Sequence, residues 1–140
     1  MTTAIDTNVI IALWHREPSI ATAAERALDS AFSRGALVVA APVFAELLAA
    51  PGRTERFVVS FLEDNAIGVD WDLGESVWRS AGKALQSYAE RRHKQRDQAI
   101  RRLLVDFIIG AHAEINGYSL LTMDERHFRA AFPAIKIKTI

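Results

Sequence analysis

The chain has 140 residues, 17 basic and 17 acidic side chains, 50% apolar residues and no cysteine. That length and composition suit one folded domain over residues 1–140 and exclude a disordered chain. The lack of cysteine excludes disulfide scaffolds, thiolate metal sites and cysteine nucleophiles, and zero net charge excludes a positive field over the whole molecule.

Residues 2–5 read as a strand running into Asp6-Thr7-Asn8, with Asn8 as cap of a short helix carrying Val9, Ile10, Leu13 and Trp14. Pro18 suits the first turn of a second helix. Its apolar stripe is Ile20, Ala24, Ala27, Leu28, Ala31 and Phe32, and Gly35 stops it. Residues 36–40 read as a buried strand. Pro42 opens a helix carrying Glu46, Leu47 and Leu48, and Pro51-Gly52 ends it. Phe57, Val58, Phe61 and Leu62 mark one face of the next helix, closed by Asn65. Residues 66–70 form a third strand.

Asp72 and Glu75 have the spacing of a capping box. The helix they would start places Val77, Ala81, Ala84, Leu85 and Tyr88 on one stripe and runs into a basic stretch, residues 91–102. Residues 103–116 read as a mostly buried helix around Asp106, ending at Gly117. Residues 119–122 read as a strand, 124–131 as a short helix stopped by Pro133, and 135–138 as an edge strand. Short apolar strands alternating with helices indicate an α/β fold, a parallel sheet covered on both faces. No apolar run approaches the about 18 residues a membrane span needs, and Asp6 and Asn8 break the first one. No membrane association is expected, and the cytoplasm is the expected location.

In such sheets ligands bind beyond the carboxyl ends of the strands. Asp6 follows the first strand, Glu46 lies one helical turn beyond the second, and Asp124 follows the fourth. Asp106 is placed near the start of its helix. Asp6 and Asp124 have an alternative use as helix caps. Glu46 and Asp106 do not, because caps do not belong inside apolar helical stripes. Burying and crowding carboxylates is costly. The only basic residue in their apolar segments is Arg102, four residues before Asp106. A hard divalent cation, Mg²⁺ or Mn²⁺, is the counter-charge that oxygen ligands suit. Such an ion can clamp a phosphate and lower the pKa of an attacking water.

Four segments carry a resemblance. They are Asp6-Thr7-Asn8-Val9, Pro42-Val43-Phe44-Ala45-Glu46-Leu47, Asp106-Phe107-Ile108-Ile109-Gly110-Ala111-His112-Ala113 and Leu120-Leu121-Thr122-Met123-Asp124. In order, spacing and overall length they resemble the successive motifs of PIN domains, in particular the VapC-like toxins of type II toxin–antitoxin systems. The resemblance implies a three-layer α/β/α fold with a central five-stranded parallel sheet. It implies an endoribonuclease dependent on Mg²⁺ or Mn²⁺, an RNA substrate and a cognate antitoxin partner. It assigns metal binding and catalysis to Asp6, Glu46, Asp106 and Asp124, and supporting roles to Thr7, Asn8 and Thr122. The chain departs from the family at Val105, where small residues or proline are common, and in a longer, more basic loop over residues 90–102.

Six of the 17 basic residues, Arg91, Arg92, Lys94, Arg96, Arg101 and Arg102, fall within residues 91–102. They read either as a solvated helix end or as a flank that contacts RNA phosphates. Of the four histidines, His15, His93, His112 and His127, none has metal-ligand spacing; His112 reads as packing, and His127, close to Asp124, either faces the site or, the favoured reading, lies on the surface. Trp14 and Phe57 look more exposed than one core requires, which suits a homodimer face or an antitoxin groove. Two other readings stay open: a PIN-type nuclease of RNA processing outside toxin–antitoxin systems, and a non-catalytic PIN-like binding module.

Overall fold

The computed structural model describes residues 1–92 and the backbone from 97 to 140, with side chains described again from Leu103 onward. The elements are β1 (Thr3–Ile5), α1 (Thr7–Leu13), α2 (Pro18–Arg34), β2 (Leu37–Ala40), α3 (Ala41–Leu48) and α4 (Glu55–Asp64). They continue with β3 (Ile67–Asp70), α5 (Glu75–Arg91), α6 (Asp97–Asn116), β4 (Ser119–Thr122), α7 (Arg126–Ala131) and β5 (Ile137–Thr139). All strand pairs are parallel, in the order β3-β2-β1-β4-β5. The expected three-layer α/β/α architecture is therefore the one observed.

This order sets the position of the cleft. The chain winds from β1 outward to β3, then crosses back to lay β4 on the other side of β1. The winding reverses between β1 and β4, and a crevice opens at the carboxyl ends of strands flanking such a reversal. β1, β2 and β4 are buried along their whole length, as strands covered on both faces must be. Their apolar residues pack with Val9, Ile10, Val43, Leu47, Phe107 and Ile109 from α1, α3 and α6 into one core.

Several local expectations are corrected. Asn8 lies within α1, and Asp6 holds the N-cap position without using its side chain as a cap. Asp72 does not form a capping box. Gly74 is the N-cap at φ +83, a conformation that favours glycine, and Asp72 Oδ1 accepts the Gly74 N–H at 3.1 Å. Glu75 is taken by Arg79 four residues on. Phe32 is exposed on α2. The largest change is in α6, which begins at Asp97 instead of 103. Gln98, Ala99, Ile100, Arg101 and Arg102 are adequate helix formers, so charge there does not delay the helix. Asp106 consequently lies mid-helix, and no continuous loop spans 90–102. Lys94 and Arg96 lie outside the described residues, as do the side chains of Arg101 and Arg102.

α6 also passes very close to the end of α7. A Cβ at Gly110 would stand 2.4 and 2.5 Å from ring carbons of Phe132, which is buried and packed on Phe107. Gly-to-Ala inside a helix ordinarily stabilises by up to about 1 kcal/mol. Here the buried ring must move, and overpacking of that kind costs about 1–3 kcal/mol. Gly110→Ala is therefore expected to lower the urea midpoint, and a raised midpoint would contradict this packing.

Candidate active site

β1 delivers Asp6 to the reversal point. The Asp6 N–H continues the β1–β4 ladder by donating to the Leu121 carbonyl at 2.9 Å. Its carboxylate is 5% exposed, so it needs a donor. Thr122, wholly buried at the end of β4, donates its hydroxyl to Asp6 Oδ2 at 2.7 Å. Thr122 Oγ1 in turn accepts the Asp124 N–H at 3.1 Å and lies 3.5 Å from Asn8 Nδ2. Asn8 Oδ1 accepts the Met123 N–H at 3.2 Å, which fastens α1 to the turn after β4. Asn8 thus acts across the sheet, which is why it does not cap its own helix.

Glu46 reaches the cleft from α3, where Val43 and Leu47 face the core. Although its sequence neighbours are apolar, Glu46 itself is exposed on the open side of the helix. The Thr7 hydroxyl donates to its Oε1 at 2.5 Å. Asp106 enters half-buried from the middle of α6. Asp6, Thr7, Asn8, Glu46, Asp106 and Asp124 line one cleft of about 360 Å³, with Ile11, His127 and Phe128 completing its wall. All four acids and two of the three supporting residues singled out in the sequence thus share one cavity. The third, Thr122, holds Asp6 from beneath.

Crowding shows in the proton affinities. Burial raises the Asp106 carboxyl from 3.8 to about 7, with further contributions from the charges of Asp6, Glu46 and Asp124. Burial also raises Asp6 above 3.8, and Glu46 adds to this. The Thr122 hydroxyl and the N–H groups of Thr7 and Asn8 pull it the other way. Asp124 behaves oppositely: Arg126 holds it down at about 2.

Arg126 was not foreseen from the sequence. It grips Asp124 with two side-chain contacts, Nε to Oδ1 at 2.9 Å and the terminal nitrogen to Oδ2 at 2.6 Å, and its N–H donates to Oδ1 at 3.2 Å. The only signal was an arginine two residues after an acid at a helix start. Of the two readings of His127, the less favoured one fits: it is half-buried and lines the cleft. His112 is buried as expected, with Nε2 2.7 Å from Asp70 Oδ2 at the end of β3.

The donors are carboxylate oxygens, the chemistry a hard cation takes. Among the described residues, however, no three carboxylate or histidine side chains converge as they stand. Thr7 and Arg126 each hold one of the four acids.

The PIN domain family model matches residues 3–133. The chain belongs to the PIN domain family. No curated protein matches it in sequence. In fold, this PIN domain is similar to a chain of VapBC2 from Rickettsia felis, crystallised with a DNA fragment from its promoter. That match has a TM-score of 0.68 at 15% identity and covers 99% of this chain and 98% of the other. It is also similar to VapBC-1 from nontypeable Haemophilus influenzae, with a TM-score of 0.67, 18% identity and coverage of 99% and 98%. A toxin–antitoxin complex from Klebsiella pneumoniae gives 0.65, 18% identity and coverage of 98% and 96%.

The Asp106 shift has a measurable consequence. Its folded pKa of about 7 exceeds the unfolded 3.8, so ionisation opposes folding. That cost is absent below pH 3.8, grows as pH rises between the two values, and is complete above 7. Asp106→Asn is therefore expected to be more stable than the unsubstituted PIN domain at pH 8 without divalent ions. The gain should shrink as pH falls through 7 and be gone at 3.8. Denaturant titrations across this range check it, and a pH-independent difference would refute the assignment.

Proposed function

We propose that this PIN domain is a divalent-metal-dependent endoribonuclease and the toxin of a VapBC-type toxin–antitoxin pair. The observation that carries the reading is the cleft itself: Asp106 held at about 7 by burial and by three other carboxylates facing it. Burial favours the neutral acid, but the negative charges of Asp6, Glu46 and Asp124, which also favour a proton on Asp106, favour a bound cation as well. Asp6, Glu46, Asp106 and Asp124 are the residues that would hold Mg²⁺ or Mn²⁺. When bound, such an ion supplies a Lewis acid for a phosphate oxygen and makes water a stronger nucleophile near neutral pH.

The chain's own residues prepare this chemistry. Thr122 fixes the direction of Asp6, and Thr7 fixes that of Glu46. Arg126 is the counter-charge of Asp124 in this structure, and a bound ion would share that carboxylate with the guanidinium. Among the described residues no element covers the cleft, which suits a polymer substrate better than a small phosphate ester.

An antitoxin partner is supported by the kind of assemblies that share this fold. A second hollow, of about 460 Å³, adjoins the cleft at Ile11 and is lined by Trp14, Arg16, Pro51 and Arg53. Trp14 and Phe57 pack edge-to-face, with Arg53 4.9 Å from both rings. The Trp14 Nε1 is buried there without an acceptor among the described residues. A docking antitoxin segment has a carbonyl to offer that nitrogen. Association of two copies belongs to the same reading, with exposed Trp71 and Trp78 as the faces to test.

Asp6→Asn is expected to abolish RNA cleavage and growth inhibition on expression while keeping the folded spectrum. Mg²⁺ or Mn²⁺ should raise the Tm of the parent by several degrees and leave that of the variant nearly unchanged. Undiminished metal-dependent cleavage in Asp6→Asn would overturn the site. A chain that is harmless alone, with no small neighbouring reading frame whose product binds it, would overturn the toxin assignment.

A further inference from the structure

At its His127 wall the acidic cleft adjoins a basic groove. Its wall residue His127 also lines a second cavity, of about 340 Å³, together with Tyr88, Arg91, Arg92, Phe107 and Arg126. The two cavities are joined by sequence as well. Phe107 follows Asp106 on α6, and Arg126 grips Asp124. Arg91 then lines a third cavity, of about 300 Å³, with Ser80, Lys83, Ser87 and Glu114. The three cavities share wall residues in series, His127 between the first two and Arg91, Ala130 and Ala131 between the last two, which sets them in a row from the carboxylates along α5 and α7.

Its chemistry changes along the way. Tyr88 stands at the centre of the second cavity, edge-to-face with His127 at 6.1 Å and with Phe107 at 5.8 Å. Arg92 lies over the Tyr88 ring, 5.6 Å from its centroid. A guanidinium in that position marks the π-face an aromatic base competes for. Lys83, Arg91, Arg92 and Arg126 are exposed, so their charges are available at the groove surface. Glu114 is the one carboxylate on the far cavity. It can accept from a ribose hydroxyl or a base amino group, and it discourages a phosphate at that point.

We propose that the groove between α5 and α7 is a track for an unpaired RNA strand leading out of the cleft, with Tyr88 as the platform for one base. The proposal rests on the nuclease reading above and adds the side from which the substrate enters. Arginines spaced along one wall serve the phosphates, and an aromatic platform serves a base free of its pairing partner. A duplex keeps its bases inside and cannot use Tyr88.

The test uses the full chain carrying Asp6→Asn, so that RNA is bound and not cut, and a fluorescein-labelled oligouridine of about ten nucleotides. In that background Lys83→Glu with Arg91→Glu is expected to weaken binding at least about tenfold. It should also reduce the slope of log Kd against log salt by about 1.4, the loss of two phosphate contacts. Tyr88→Ala is expected to weaken binding about tenfold with the salt slope unchanged, and Tyr88→Phe to restore it. The same RNA annealed to its complement should bind more weakly than the single strand.

Parent protein that cleaves RNA, with these variants binding as tightly as their Asp6→Asn background, would overturn the track and leave the nuclease reading standing. Failure of the parent to bind or cut any RNA would overturn both. Binding of polyglutamate that depends on Lys83 and Arg91, with RNA binding indifferent to them, would assign the groove to an acidic protein segment and overturn the proposal.

Discussion

A carboxylate at the end of a buried strand has to find a hydrogen-bond donor, and for Asp6 that donor is the hydroxyl of Thr122. The two residues come from the neighbouring strands β1 and β4, between which the winding of the sheet reverses. Their bond is what makes the reversal point a site instead of a seam. It fixes Asp6, and through the Asp124 N–H it also fixes the turn that presents Asp124. Asn8 ties that turn back to α1. Removing one oxygen atom from the side chain at 122 would release three polar groups from two elements at once.

The four acids are then treated unequally. Asp124 has a private cation in Arg126 and stays ionised down to about 2. Asp106 has no such partner among the described residues and, buried among like charges, rises to about 7. Asp6 is buried but supported, and Glu46 is exposed but oriented by Thr7. A protein with 17 charges of each sign thus concentrates its imbalance at one point. Zero net charge excludes a general attraction for polyanions. It does not exclude a local one, and the basic wall beside the cleft is local.

The legible part of the fold was the part governed by burial. β4 was read with its observed bounds because Gly117, at φ +70, and the polar Thr-Met-Asp turn frame four buried residues. The acids were legible for the same reason, since a carboxylate stands out in an apolar segment. The misread features were those decided by polar geometry. The start of α6 was hidden because its first turns carry charge instead of an apolar stripe. Asp72 has the residue type and spacing of a cap, but the turn at Gly74 redirects its side chain. Arg126 was overlooked because it follows Asp124 in a polar turn, outside the apolar segments where counter-charges were sought. Pairing at that spacing depends on the turn and not on the residues alone.

The register of β1 between β2 and β4 also bears on when the site comes into being. The Thr122–Asp6 bond closes across 116 residues of chain, and β1 is a central strand whose second neighbour begins at Ser119. Contacts of such long sequence separation form late, after the cost of closing the loop has been met. During synthesis the first motif emerges early and waits. Asp106 and Asp124 are made only long after Asp6 and Glu46, and β4 can pair with β1 only once residue 122 has been added. A truncated or nascent product therefore carries half of the carboxylates and none of the joint that aligns them. The topology leaves the acidic cleft unassembled until β4 has been made and has paired with β1.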